Sequence, residues 1–326
     1  MKILMIILCF TVSANLWADM EKTLKSLRAK KSSIESKTYS SFATDELKYL
    51  KFYDLHQTGW DQKFGVVSSG GYAIHTHFFK SKNPKPMGTV LLVHGYLDNS
   101  GYMSNLFPLL LKKNFNVVAF DLPGHGLSTG ERVDIASFDI YTNVIKDIYE
   151  LAKTQFKGPY HAICHSTGCA GLMNGIVKGK FDTLDKTIFL APLVRSVSWK
   201  LAKFGNKIGR RFLTHVPRKF NKNSSDKSYL RFVKNDPLQV RKIPLRWVTS
   251  LHNWEKSFSK SKPNGAEILV ISGDKDATVD WAKNREILSS IFTKIRYEVI
   301  DDANHQLINE MPIYMNQVLK LVESNI

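Results

Sequence analysis

Cysteine is scarce in this chain, with three residues in 326. Cys9 lies in an amino-terminal apolar run, which leaves Cys164 and Cys169, five positions apart around Ser166. A strand that ends at Ser166 and turns into a helix is expected to hold these two sulfurs beyond disulfide reach, as buried free thiols. No His/Asp/Glu cluster has metal-ligand spacing, so no metal site is expected. Beyond the amino terminus no apolar run approaches the roughly 20 residues a spanning helix needs. There is no internal repeat and no low-complexity tract. With 43% hydrophobic and 23% charged residues the chain has globular proportions. That is enough for one large α/β domain with an insertion, or for two ordinary domains.

Acidic residues are also in short supply, 29 against 46 lysines and arginines, and the imbalance is local. Between Arg195 and Lys262, eighteen lysines and arginines meet only Asp226, Asp236 and Glu255, so fifteen of the seventeen excess positive charges lie there. A field of that size favours an anionic surface or anionic substrates. No nucleic-acid recognition motif accompanies the charge, and no nucleic-acid partner is expected.

What the chain does contain begins with MKILMIILCFTVSANLWADM: one lysine, an apolar run from Ile3 to Val12, then small and polar residues to Ala18. That order is expected of a secretory signal peptide over residues 1–18, cleaved after Ala18, and it places the protein in the periplasm, on the envelope or outside the cell. Residues 19–62 read as a polar, helix-prone leader packed on the core. From Lys63, KFGVVSS and YAIHTHFFKS flank Gly70-Gly71 as a hairpin. TVLLVHG, NVVAFDLPGHG, YHAICHS, KTIFLAPLV, AEILVISGD and KIRYEVID follow as strands, with helix-period segments between most of them. Uninterrupted apolar strands alternating with helices predict an α/β fold with a mostly parallel central sheet, flanked by helices. The segment 195–262 is too long for a connection and is expected as a folded, helical insertion, leaving 63–194 and 263–326 as the core.

Ligands of such sheets gather at the carboxyl ends of the strands. There the sequence places His94-Gly95-Tyr96, Asp121 with Gly124-His125-Gly126, Ser166, Asp276 and His305. A serine hydroxyl needs a base to take its proton, and an imidazole needs a carboxylate to fix its tautomer, which assigns Ser166, His305 and Asp276 in turn. The N–H groups of Tyr96 and Thr167 are positioned to hold an oxyanion. His94, Gly95 and His125 are expected to be structural, bonding loop backbone beside that site. Asp274 and Asp280 compete with Asp276 and are expected to cap the turn and the next helix; Asp301 and Asp302 read as loop acids.

The motifs VLLVHGY, FDLPGHGLSTG, CHSTG, ISGDKDATVD and DDANHQ occur in the order Ser…Asp…His. By them the chain resembles the α/β-hydrolase superfamily, and more narrowly its monoglyceride lipase and lysophospholipase-like branch (serine aminopeptidase S33-type), from about Lys63 onward. The resemblance implies a cap at the basic segment, Asp276 as the acid through its spacing from Gly273, and no cofactor. It implies an enzyme that cleaves carboxylic esters of mono- and lysolipids through an acyl-enzyme. Cys164 departs from the Gly-x-Ser-x-Gly elbow pattern; it is expected to be buried, with its exchange for glycine tolerated.

A charge run is ordinarily a solvated face. Lys200, Lys203, Lys207, Arg210 and Arg211, however, accompany Trp199, Leu201, Phe204, Ile208 and Phe212, a mixture suited to an amphipathic helix on anionic lipid. The expected substrate is therefore a lysophospholipid or monoacylglycerol, with an anionic membrane surface as partner. An esterase, thioesterase or peptidase for small soluble substrates, or a membrane-binding protein on a hydrolase scaffold, are the alternatives.

Overall fold

A computed structural model describes residues 17–326. Residues 1–16 of the expected signal peptide lie outside the described residues. Helix α1 (residues 17–29) and α2 (Thr44–Phe52) precede the hairpin β1 (Trp60–Ser69) and β2 (Tyr72–Ser81), so the first strand starts three residues before Lys63. Gly70 and Gly71 take φ of 55° and 82°, as a two-residue hairpin turn requires. The chain continues with β3 (Thr89–Val93), α3 (Phe107–Lys112), β4 (Asn116–Phe120), α4 (Phe138–Gln155), β5 (Tyr160–His165), α5 (Thr167–Val177) and β6 (Leu184–Leu190). After an insertion come β9 (Asn264–Gly273), α9 (Trp281–Ile291), β10 (Phe292–Ile300) and α10 (Pro312–Asn325).

Eight strands form one sheet in the order β1-β2-β4-β3-β5-β6-β9-β10, in which only β2 runs against its neighbours. The apolar strands are continuous because both faces are covered. Leu91, Val93, Ala162 and Cys164 pack on one side with α4 and α5, while Val90, Leu92 and Ile163 pack on the other with α1 and α2. Alternation with period two thus survives inside an unbroken apolar run.

The insertion holds α6 (Trp199–Gly209), β7 (His215–Pro217), α7 (Lys227–Asn235), β8 (Lys242–Pro244) and α8 (Leu245–Phe258). It is not purely helical: β7 and β8 pair as an antiparallel ribbon, each too short to leave a periodic signal. Trp247, Leu251, Trp254 and Phe258 bury α8 against the core, with the Trp254 ring stacked 5.1 Å from Phe138. The leader reaches the same cap. Tyr53 Oη and Tyr102 Oη donate to the buried Asp236 at the end of α7, at 2.6 and 2.5 Å.

Candidate active site

Ser166 separates β5 from α5 with φ 48° and ψ −112°, a strained conformation for a residue with a side chain. Backbone clamps hold it there. Its N–H donates to Leu190 O at 3.0 Å, and its carbonyl accepts from Cys169 N at 3.1 Å and Leu193 N at 3.2 Å. Gly168 serves close approach, since a Cβ there would lie 2.4 Å from His94 O and 2.5 Å from Val93 O.

The cysteines correct the sequence expectation. Cys164 and Cys169 are joined by a disulfide, with their Cα atoms 5.0 Å apart. The reversal at Ser166 folds the first turn of α5 back over the end of β5, which brings the pair within the usual bridging range. Both residues are fully buried. Exchange of Cys164 for glycine would therefore remove a cross-link rather than relieve crowding. A Cys164→Ser/Cys169→Ser variant is expected to lose about 2 kcal/mol of unfolding free energy, the loop-closure value for so short a ring. Urea titration without reductant reads this, and an unchanged midpoint would refute it.

Asp276, in the loop after β9, accepts on Oδ1 from Thr278 N at 2.8 Å and Val279 N at 3.0 Å. Its Oδ2 faces His305 Nδ1 at 2.7 Å. Burial pushes this carboxyl up, but His305 and the two N–H groups outweigh it and hold it below the usual carboxylate value. The neighbouring acids are used elsewhere: Asp274 accepts from Asp302 N at 2.7 Å, and Asp280 caps α9. Asp301 and Asp302 are exposed in the loop after β10.

Ser166 and His305 line one cavity of about 460 Å³, with Tyr96, Thr167, Leu193, Trp199, Trp247, Val248 and Leu251. Their side chains are not hydrogen-bonded to each other, a contact that in hydrolases commonly tightens only with substrate. Thr167, first in α5, has no intrahelical acceptor for its N–H, and Tyr96 N donates to none of the described backbone. The Tyr96 ring stacks 3.7 Å from Trp247 and its Oη donates to Val133 O at 2.8 Å, which fixes the loop carrying that N–H.

His94 and His125 lie behind the cavity, both fully buried. His94 Nε2 accepts from Leu122 N at 2.9 Å, so Nδ1 carries the proton and donates to Gly95 O at 2.7 Å. That tie couples the loops after β3 and β4. Burial lowers the His125 pKa to about 3, leaving a neutral ring whose Nδ1 lies 2.9 Å from Pro123 O. Gly95 must be small, because a Cβ would meet His165 Nδ1 at 2.6 Å. Lys200, Lys203, Lys207, Arg210 and Arg211 stand apart from Ser166, exposed on and just after α6. Among the described residues no group of three or more His, Cys, Asp or Glu is disposed to hold a metal ion.

Sequence reasoning passed over a second cluster. His165 Nδ1 lies 3.3 Å from Asp98 Oδ2, His165 Nε2 lies 3.1 Å from His305 O, and Gln306 Nε2 donates to Asp98 at 3.2 Å. This buried set fixes the backbone beneath His305. Its one sequence signal is adjacency, since His165 and Gln306 flank Ser166 and His305.

A strained serine, a buried Asp–His pair and free N–H groups around one cavity are the parts needed for acyl transfer. The chain is 24% identical to monoglyceride lipase of Mus musculus, covering 79% of this chain and 88% of that protein. It is 23% identical to the probable lysophospholipase L2 of Haemophilus influenzae, over 72% and 82%. Some matches are partial: the chain spans 13% of an abhydrolase domain-containing protein of Dictyostelium discoideum. A solved monoglyceride lipase from Saccharomyces cerevisiae shares the fold, with TM-score 0.69 at 16% identity over 82% of this chain and 95% of that one. The family described as serine aminopeptidase, S33, matches residues 84–312, most of the chain, and the protein therefore belongs to it, with the α/β-hydrolase fold.

Proposed function

We propose that the protein is a serine hydrolase of single-chain lipid esters, a lysophospholipase or monoacylglycerol lipase. The observation that carries this reading is one cavity that joins the Ser166, His305 and Asp276 set to apolar walls. Ser166 Oγ attacks the ester carbonyl as His305 takes its proton. The N–H groups of Tyr96 and Thr167 receive the oxyanion. His305 then protonates the departing alcohol, leaving an acyl-Ser166 ester. Water, deprotonated by His305, cleaves that ester and releases a fatty acid. Asp276 stabilises the imidazolium in both halves.

The exposed face of α6 supports an anionic membrane as the surface from which substrate enters. Leu201, Phe204 and Phe212 are 71%, 62% and 81% exposed, interleaved with the five cations, while Trp199 and Ala202 of the same helix line the cavity. The amino-terminal sequence supports export to the periplasm, the envelope or the medium.

Esters of one alcohol with acyl chains from four to sixteen carbons test the reading. The ratio kcat/KM is expected to rise by about tenfold or more along the series, because each buried methylene contributes about 0.8 kcal/mol until the apolar wall is filled. A maximum at the shortest chain would assign the site to small soluble esters instead.

A further inference from the structure

The cavity over Ser166 is electrically lopsided. Arg218, Lys219, Lys222 and Lys234 line its cap-derived side, while Asp98 is the one carboxylate among its lining residues and is already engaged by His165 and Gln306. Leu193, Trp199, Val248 and Leu251 supply apolar wall with no charge.

Arg218 is the built element of the basic side. It follows β7, and its guanidinium stacks 4.3 Å above the Phe220 ring. Nη1 donates to Gln239 Oε1 and to Val240 O. Nη2 has no partner among the described residues, and Nε is enclosed without one. Burial lowers its pKa despite the nearby Asp98 carboxylate, so this cation is partly stripped of water and not neutralised by an ion pair. Such a group gains from any anion that reaches it.

Its location defines which part of a substrate it meets. The segment that begins at Arg218 lies against the loop of the base: Gln306 N donates to Asn223 O at 3.0 Å. An alcohol that takes its proton from His305 would depart toward this side, with the acyl chain along the apolar wall.

We propose that the basic wall is a phosphate subsite, with Arg218 Nη2 as its principal donor, and that the substrate is a single-chain phospholipid rather than an uncharged monoacylglycerol. This rests on the lipid-ester reading above and adds the head group to it. The reaction is unchanged: the acyl C–O bond breaks, the glycerophosphate alcohol leaves with the proton from His305, and water supplies the oxygen of the fatty acid.

The test compares lysophosphatidylglycerol with monoacylglycerol of the same chain, both present together as competing substrates in the same nonionic-detergent micelles, so that each meets the same surface charge. The wild type is expected to prefer the phospholipid, and Arg218→Gln to lower the ratio of the two kcat/KM values about tenfold or more, the scale of a lost charge-assisted hydrogen bond. The loss should fall mainly on KM, and Arg218→Lys should recover part of it. Lys219 and Lys222 are exposed, so Lys219→Gln/Lys222→Gln leaves cap packing intact and should lower the ratio about two- to threefold, the scale of a solvent-screened charge. Glycerol 3-phosphate should compete with turnover of a short soluble ester where glycerol does not. A ratio unchanged within twofold in every variant, or a wild-type preference for monoacylglycerol, overturns the subsite and leaves the lipid-ester reading standing. Turnover of the short ester alone, with neither lipid cleaved, overturns both.

Discussion

Ser166→Ala is expected to lower kcat/KM for a short-chain aryl ester by about 10⁴-fold or more, the scale seen when a nucleophile acting as part of a unit is removed. The same change should leave the urea midpoint within experimental error. The Ser166 side chain makes no hydrogen bond to the described residues, and the elbow is held by backbone bonds to Leu190, Leu193 and Cys169 that alanine keeps. Reaction with a fluorophosphonate probe should vanish in parallel. Hydrolysis within tenfold of wild type would move the nucleophile to another residue, and labelling that persists would do the same.

Asp276→Asn is expected to cost about 10⁴-fold in kcat at neutral pH, through a wrong imidazole tautomer rather than through lost packing. The direction follows from the hydrogen bonds around the carboxylate. Thr278 N and Val279 N both donate to Oδ1, so in asparagine the amide oxygen stays on that side and the NH₂ is turned toward His305 Nδ1. Nδ1 must then accept, which leaves the ring proton on Nε2, where Ser166 needs a base. A loss below tenfold would show that the imidazole is oriented by another group.

Asp276 also links stability to pH. Its carboxyl sits below the usual value in the folded protein, as do those of the buried Asp98 and Asp121. Their ionised forms therefore stabilise the fold above the unfolded carboxylate value of about 4, and that contribution disappears as pH falls through the lower folded values. Asp276→Asn should flatten the acid limb of the stability curve.

The sheet was legible because strands buried on both faces leave unbroken apolar runs, and TVLLV and NVVAF have no other economical reading. The polar residues at their ends could be collected from the sequence because parallel strands all point one way. The ribbon β7/β8 was not legible: HVP and KIP are too short to carry a period, and they pair across the whole of α7. The His165–Asp98–Gln306 cluster escaped for a related reason. Each member sits beside a residue with an obvious chemical role, and only the folded loops bring the three together. The Cys164–Cys169 bond is hidden from the sequence because spacing along an idealised strand and helix keeps the two sulfurs apart, and only the sharp reversal at Ser166 closes the gap. Arg218 is one of eighteen basic residues in its segment, and nothing local to it announces an unpaired Nη2.

The disulfide across the elbow gives each molecule a covalent record of where it folded. Glutathione and thioredoxin keep paired thiols reduced in most cytosols, whereas oxidising compartments close them. Because both sulfurs are sealed from solvent once the chain is folded, a molecule that matures as a dithiol resists later oxidation, and one that matures bridged resists later reduction. Residues 19–326 prepared by cytosolic expression and the same residues recovered after export would then be two kinetically separate populations of one sequence, alike in mass to within two hydrogens and distinguishable by counting thiols after denaturation.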